Sequence, residues 1–357
     1  MQVWNDKTYL FVGTRTLHVF DLVSEEWFFL TTTLRRGMQW PYSLEGNLQS
    51  FNTAVLDDKL YVFGGEDGEN PLGQNILVVL DLSTNEWEHL SGTSDHRSQS
   101  FEPNLRSLCC MWAVPHQRKI YILYGNANRI KARYESAPGG ADNDYTYDDF
   151  WSYHVDNRKW ERERLRGNYP SPRTEAASVF SNASGKAVVY GGYHGSLPTV
   201  ENAPGHPNQK FKFSFFGDTF VYNPDTNIWK HVLVRGFPSY RAMSTFASDP
   251  DTGKIYLSGG YSDSDFVPSK NIGIRVYHDV WTLKLDLPGG HWNPQDLTRD
   301  LRAEKMGPWM RCFTCGNCGI TWQKCAGACG GKYFFCSKEC QISGWKEHKE
   351  KHGCRKL

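Results

Sequence analysis

Short stretches in which apolar and polar residues alternate recur along the first 293 residues, and glycine-rich turns separate them. The recurring unit is an apolar strand ending in glycine, a variable connection, a second apolar strand, a short turn and a tryptophan. A period of two is typical of half-buried β-strands and excludes a solenoid of helices. The five units end their first strands at Gly13, Gly65, Gly125, Gly192 and Gly260, and their tryptophans are Trp27, Trp87, Trp160, Trp229 and Trp292.

The tryptophans are separated by 60, 73, 69 and 63 residues, which leaves room for four strands in each unit. In the stretch AASVFSNASGKAVVYGG, a polar turn at 182–185 joins an upstream apolar strand to the strand ending in glycine, and a fourth strand is expected at each tryptophan. Sheets repeated around an axis protect their strand edges, so the pattern predicts an all-β propeller. A sandwich of five unrelated hairpins was weighed against it, but sandwich packing requires no tryptophan at a fixed offset.

The glycine pair after an apolar strand, followed by an aromatic-bearing strand and a fixed tryptophan, resembles the kelch repeat. Pro172, Arg173 and Arg241, placed just before the first strand of their units, also resemble the kelch pattern, whereas units one and three have single glycines. The resemblance implies a kelch-type β-propeller over residues 1–293. Kelch propellers usually have six or seven blades, so five units leave two interpretations: a ring of five blades, or a chain that lacks upstream blades. We favour the second.

The long connections are expected on one face of the propeller. In a blade of antiparallel strands, the link from the second to the third strand emerges on the same face as the link to the next blade. The long segments are 126–149, 193–217, 261–278 and 89–107, and they are rich in Gly, Pro, Asn and Asp. Such a face suits binding of another protein or a small polar ligand, although any single loop is equally consistent with a connection that has no role.

Composition and charge narrow the classes of function. Lys plus Arg is 40 and Asp plus Glu is 39, so the formal net charge of +1 argues against a chain that coats nucleic acid or an anionic membrane. No run of about 18 apolar residues occurs, and the first residues lack the pattern of a signal peptide. We therefore expect an intracellular protein, cytoplasmic or nuclear, that is not secreted and does not enter a membrane.

Cysteine is crowded into the last 46 residues, which hold eight of the ten cysteines. A segment this short cannot bury enough apolar surface to fold unaided, and crowding without a signal peptide favours metal ligation over disulfides. Two C-x3-C pairs place thiolates on tight turns, and two histidines four residues apart share one face of a predicted helix that starts near Ser337. The array predicts bound zinc.

The order of these pairs resembles a MYND zinc finger over residues 312–357. The resemblance implies two structural zinc ions, with the first and third pairs on one ion and the second and fourth pairs on the other. Carried over, one site holds Cys312, Cys315, Cys336 and Cys340, and the other holds Cys325, Cys329, His348 and His352. Cys318 is an alternate because it also forms a C-x2-C pair with Cys315, and Cys354 is an alternate to His352 because a thiolate is chemically as good. The family spacing favours Cys312 and His352.

Together the resemblances imply an adaptor and no enzyme. The propeller loop face would bind one protein, residues 294–311 would form a linker, and the finger would bind a proline-containing peptide of another protein. One alternative is a propeller oxidase resembling galactose oxidase, for which the only cysteines before the tail are Cys109 and Cys110. The other is a corepressor-like nuclear protein, which depends on the excess of 11 basic over 5 acidic residues from Asp300 onward. Nucleic-acid binding is not expected, because exposed lysines on a short helix are more often simply solvated.

Overall fold

The fold was analysed in a computed structural model of the chain. The structure describes residues 2–42, 48–66, 73–93, 101–128, 144–195, 214–232, 238, 240–263, 274–293, 305–306, 309–315, 318–319, 322–329, 331 and 333–355. Part of each of the four long connections, most of the linker and the side chain of Cys318 lie outside this part.

The first two repeats each form an antiparallel sheet in chain order. The first blade contains β1 (Gln2–Trp4), β2 (Lys7–Leu10), β3 (Leu17–Asp21) and β4 (Glu26–Leu30). After β5 (Thr33–Leu34), the second blade contains β6 (Asn52–Leu56), β7 (Lys59–Phe63), β8 (Leu77–Asp81) and β9 (Glu86–Ser91). The segment β5 pairs in parallel with β9, so the connection from the first blade covers the outer edge of the second.

The next two blades each carry a two-stranded ribbon between their second and third strands. The third blade runs through β10 (Cys110–Val114), β11 (Lys119–Leu123), the ribbon strands β12 (Asn126–Asn128) and β13 (Asp144–Thr146), then β14 (Phe150–His154) and β15 (Lys159–Glu163). The fourth blade runs through β16 (Ala177–Ser181), β17 (Lys186–Tyr190), the ribbon strands β18 (Tyr193–His194) and β19 (Ser214–Phe215), then β20 (Thr219–Asn223) and β21 (Ile228–Val232).

The fifth blade has three strands in the described sheet. It contains β22 (Thr245–Ser248), β23 (Ile255–Ser258), the ribbon strands β24 (Tyr261–Asp263) and β25 (Ile274–Val276), and β26 (Val280–Leu283). After a turn in which Leu285 bridges His291, the fourth strand expected at Trp292 would continue into residues from 294 onward, which lie outside the described part. With this exception, the predicted all-β arrangement of five blades is confirmed.

The core lies between adjacent blades, whose innermost strands contact one another in chain order. Trp87 packs with Phe11 of the preceding blade at 5.6 Å between ring centroids, and its indole N–H donates to Thr32 Oγ1 at 2.8 Å. In the same way Trp160 packs on the second blade and Trp229 on the third. The fixed tryptophan therefore fills the wedge between its own blade and the preceding one, since large rings bury much apolar area there.

The Cys-rich tail is a small unit with its own core. Its elements are β27 (Lys305–Met306), β28 (Trp309–Arg311), β29 (Cys318–Gly319), β30 (Gln323–Lys324), β31 (Phe334–Phe335) and the helix α1 (Lys338–His352). The strand β28 pairs with β29, so its residues, expected in the linker, continue into the sheet of the tail. Ser337 caps α1 by accepting a hydrogen bond from the backbone N–H of Cys340, as the predicted helix start required. Among the described helices, none combines the length and apolar character needed to cross a membrane.

Candidate functional site

The three ribbons rise from one face of the propeller, which we call the ribbon face. Each ribbon is tied at its base to the segment that enters its blade, through the bridges Ser107 with Asn126, Thr174 with Tyr193 and Ala242 with Tyr261. The connections between blades and the connections within blades thus meet on the same face, as the strand order requires.

A buried arginine holds the base of each ribbon. Arg173 forms two hydrogen bonds with the carboxylate of Asp218 and donates to the carbonyl of Gly191 at 3.0 Å. Its guanidinium carbon also lies 4.0 Å from the ring centroid of Phe216, two residues before Asp218 in sequence, a cation–π contact. Three such units repeat, formed by the pairs Arg106 with Asp149, Arg173 with Asp218 and Arg241 with Asp279, over the rings of Tyr147, Phe216 and Tyr277.

In two of these pairs, the arginine favours the charged form of the aspartate. Burial alone would raise the pKa of Asp149, but Arg106 outweighs it and holds that pKa below its ordinary value. The same opposition of burial and arginine lowers the pKa of Asp279. Of these arginines the sequence singled out Arg173 and Arg241 but missed Arg106, although all three stand four residues before a first strand.

The second blade shows what replaces such a pair. Leu48 stands four residues before β6 and Ile76 one residue before β8, the positions of the arginine and the aspartate in the other blades. The carbonyl of Ile76 accepts from Gly64 N–H at 3.0 Å, just as that of Asp218 accepts from Gly191 N–H at 3.2 Å. Both Leu48 and Ile76 are buried in the same apolar cluster. The fold therefore accepts either an ion pair or two aliphatic side chains here.

The glycine pair is explained by the close approach of the next blade. Gly65 has φ +93° and its N–H donates to the carbonyl of Arg106, while a Cβ on Gly64 would lie 2.7 Å from that carbonyl oxygen. The third unit has a single glycine, and Tyr124 stands at the position of Gly64. Its backbone is left-handed, with φ 56°, as that of Gly64 is with φ 67°. The departure from the repeat is thus a change of residue type without a change of backbone.

In the tail, the structure brings the first and third cysteine pairs together. The sulfurs of Cys312, Cys315, Cys336 and Cys340 all lie within 4.8 Å of one another, and we call this group cluster A. Cys312 is held by a parallel bridge to Phe334, and Cys340 lies in the first turn of α1. These are the four residues expected for the first site.

The second group, cluster B, is formed by the second pair, the helix and the end of the chain. Its members are Cys325, Cys329, His348 and Cys354, whose ligand atoms also lie within 4.8 Å of one another. His348 is fully buried on α1, where its ring packs against the aromatic rings of the small apolar core of the tail. Cluster B differs from the expected second site at one position: it contains Cys354, whereas the sequence favoured His352.

The backbone explains why Cys354 reaches cluster B. Gly353 ends α1 with φ 58°, a left-handed cap that reverses the chain and returns Cys354 toward Cys325, 3.9 Å away between sulfurs. His352 instead pairs through Nδ1 with the hydroxyl of Tyr333 at 2.8 Å. The glycine after the helix was the sequence signal that could have pointed to Cys354.

The spacing of the sulfurs fits a tetrahedral zinc site. Four ligands at a Zn–S distance of about 2.3 Å place neighbouring sulfurs about 3.8 Å apart. The separations are 3.5 Å from Cys315 to Cys336, 3.5 Å from Cys336 to Cys340 and 3.9 Å from Cys325 to Cys354. A disulfide needs about 2.05 Å, and the cysteines of the described part are free thiols. Donor set and spacing therefore suit a soft divalent cation.

The thiols of cluster A perturb one another. Burial opposes ionisation of Cys312, but backbone N–H groups outweigh it and lower its pKa to about 6. Burial and the neighbouring thiols of Cys340, Cys315 and Cys312 raise the pKa of Cys336 to about 12. One thiolate therefore forms readily, and its negative charge opposes ionisation of the neighbouring thiols. A bound cation would remove this repulsion.

Two other cysteines lie in the propeller and serve a different role. Cys109 and Cys110 are buried in different interblade clusters, and burial raises the pKa of each to about 12. A buried neutral thiol behaves as a small apolar side chain and is a poor nucleophile.

The repeated blades, the interblade tryptophans and the buried arginines define the class of protein: a kelch-repeat β-propeller followed by a Cys-rich tail. Residues 1–192 match the family model of the KLHDC2/KLHL20/DRC7 Kelch-repeats domain. This match covers more than half of the chain, so the protein belongs to that kelch-repeat family. It is also similar to mouse "Kelch domain-containing protein 1", with 25% identity over 249 residues, 66% of this chain and 54% of the relative. The chain thus spans about half the length of that curated relative.

Proposed function

We propose that the protein is a non-enzymatic adaptor in which the ribbon face binds one protein partner and a MYND-type finger, built on two zinc ions, binds a proline-containing peptide of another. Kelch-repeat membership supports a role in protein–protein interaction. The observation that carries the rest is the interleaving of the tail, where pairs distant in sequence meet in clusters A and B.

In this proposal cluster A holds one ion and cluster B, with Cys354 in place of His352, holds the other. Four protein ligands at each ion leave no open position for water or substrate, so both ions are structural. They supply the stabilisation that the small apolar core of the tail lacks.

The helix α1 offers a surface for the peptide. Ile342 is 68% exposed, and Trp345 lies one turn further on the same side of the helix, half-buried against the tail. Proline-rich segments dock on aromatic-lined grooves because their extended backbone is already ordered before binding. An exposed aliphatic beside an aromatic ring therefore suits such a peptide.

The ribbon face suits a protein partner because each ribbon stands on a rigid stem. The base of each ribbon is fixed by a buried arginine, and Val276 at the end of the third ribbon is 57% exposed. Binding residues are commonly found on loops that a rigid scaffold positions.

The experiment compares two variants of the full-length chain by proximity labelling and by binding to an array of proline-containing peptides. Ile342→Glu should remove peptide binding and one set of labelled proteins, whereas Val276→Glu should remove a different set and leave peptide binding unchanged. Val23→Glu, at a position 79% exposed in a turn of the first blade, is the control. If Ile342→Glu and Val276→Glu removed the same proteins, or if alanine in place of proline did not weaken peptide binding, the proposal would fail.

A further inference from the structure

The outer edge of the third blade carries a row of exposed arginines, which we call the arginine row. Its members are Arg162 in the outer strand β15, and Arg164 and Arg166 in the segment that follows this strand. All three residues are exposed. The glycines and the tryptophan that define the repeat do not require arginines at these positions, so the row is a feature of its own.

The residues between the arginines fix the side of the chain on which the row lies. Glu163 accepts a hydrogen bond from Asn227 of the fourth blade at 3.1 Å, and Leu165 packs on the apolar cluster between the third and fourth blades. Alternate residues of an extended chain point to opposite sides. Glu163 and Leu165 therefore face the fourth blade, and the three arginines lie together on the other side.

The backbone that carries the row is fixed at both ends. Up to Glu163 it pairs with β14, and beyond that point Gly167 forms a parallel bridge with Trp229 of β21. The backbone N–H of Trp229 donates to the carbonyl of Arg166 at 2.9 Å, and its own carbonyl accepts from the N–H of Asn168 at 3.0 Å. Alternate residues of an extended chain are about 6.6 Å apart, so the arginines recur at that regular interval.

The positive charge of the arginine row is not neutralised within the described residues. No acidic side chain of this part of the chain bonds any of the three guanidinium groups. Glu161 and Glu163 lie on the opposite side of β15, where both contact Lys119. The first arginine of the row interacts with the charge of Asp149, but Arg106 already bonds both oxygens of that carboxylate. Like charges that repel one another in this way favour an anionic ligand.

We propose that the arginine row binds an extended acidic segment of a partner protein, with Asp or Glu at every second residue. Such a segment presents its carboxylates on one side at the same interval as the arginines. A guanidinium group matches a carboxylate with two parallel hydrogen bonds, which makes arginine well suited to this recognition.

The charge of the rest of the chain favours a short acidic peptide over nucleic acid. Residues 1–299 carry 29 basic and 34 acidic residues, an excess of negative charge that repels a long polyanion. A peptide that spans only the row avoids most of this repulsion, because screening by salt limits it to short range. The proposal is independent of the adaptor function, since it involves neither the ribbon face nor the tail.

Fluorescence polarisation of a labelled peptide, in which three aspartates alternate with serine, tests this binding to the full-length chain. The wild type should bind the peptide at about 50 mM salt and lose affinity as salt rises. The double variant Arg164→Glu with Arg166→Glu should bind about tenfold more weakly, because two attractive contacts become repulsive. Lys159→Glu makes the same change of charge at an exposed position on the opposite side of β15 and should bind like the wild type.

A second peptide, with lysine in place of each aspartate, separates loss of contact from loss of folding. It should bind the double variant and not the wild type, because a misfolded chain could not gain a specific ligand. A wild type that does not bind the aspartate peptide at low salt would overturn the proposal, as would an equal loss of binding in Lys159→Glu. Equal affinity for a peptide with three consecutive aspartates would also overturn it, since the spacing would then not be recognised. So would tighter binding of a single-stranded oligonucleotide that the double variant loses, because that result identifies a nucleic-acid surface.

Discussion

Replacement of the buried pair Arg173 and Asp218 by the aliphatic pair of the second blade tests how the propeller accommodates charge. In Asp218→Ile the guanidinium of Arg173, only 1% exposed, loses its carboxylate partner and stays buried. In the double variant Arg173→Leu with Asp218→Ile, the site takes the residues that Leu48 and Ile76 provide in the second blade. We expect the double variant to be more stable than the single one.

The magnitudes follow from the burial of the two groups. Removal of one partner from a buried ion pair costs about 3–5 kcal/mol, and we expect about 3 kcal/mol because the side chain of Asp218 is still 29% exposed and partly screened. A well-packed aliphatic pair is often close to neutral, so the double variant should lie within about 1 kcal/mol of wild type. The coupling free energy between the two positions is then about 2 kcal/mol or more.

Urea unfolding followed by tryptophan fluorescence measures the free energy of unfolding for wild type, the two single variants and the double variant. If the double variant lost as much stability as the sum of the single variants, the two positions would not be coupled and the equivalence with the second blade would be refuted. The Leu48→Arg with Ile76→Asp variant is the converse control, because it should recover stability relative to Leu48→Arg alone.

Four further outcomes are expected. Removal of zinc with a chelator should make the tail sensitive to protease while the β signal in circular dichroism stays; an unchanged digestion pattern would contradict the metal assignment. Cys354→Ser should lower bound zinc, measured by elemental analysis, to about one ion per chain, whereas His352→Ala should keep about two; the reverse result would restore His352 as the ligand. Because Arg106 lowers the pKa of Asp149, that aspartate adds stability that is complete above about pH 4 and is lost as pH falls through the folded-state pKa. The difference in unfolding free energy between wild type and Asp149→Asn should therefore shrink in acid. A difference that stays constant with pH would argue against the ion pair. Trp87→Ala should cost about 3–5 kcal/mol in urea unfolding, and a loss below about 1 kcal/mol would show that the wedge is not filled by this ring.

Sequence alone predicted the blades because their determinants are local. Alternation, the glycine turn and the tryptophan offset each depend on residues within one repeat, so a single sequence displays them five times. The fourth strand of the fifth blade, expected from the same offset at Trp292, would run through residues outside the described part and stays a prediction. The arginines share a local offset, which Arg106 also has, but their aspartates lie 38 to 45 residues away, and no local pattern displays that pairing.

The metal ligands show the same division between local and distant determinants. The paired cysteines of clusters A and B could be predicted because each pair depends on one turn. The choice between His352 and Cys354 could not, since both residue types ligate zinc and the spacing along a helix favours the histidine. The direction of the chain after Gly353, which depends on a single left-handed residue, brings Cys354 to cluster B in the structure.

The buried arginines also explain how ribbons of different sequence stand on similar blades within this chain. Each guanidinium bonds the carboxylate at the start of the third strand and packs on a ring in the segment that returns from the ribbon, Tyr147 in the case of Arg106. The stem of the ribbon is therefore fixed from both ends, and sequence changes beyond the stem do not reach the blade. In the second blade, Leu48 and Ile76 fix the same point by apolar packing alone. What the propeller requires at this position is a filled and rigid base, and either an ion pair or two aliphatic side chains supply it.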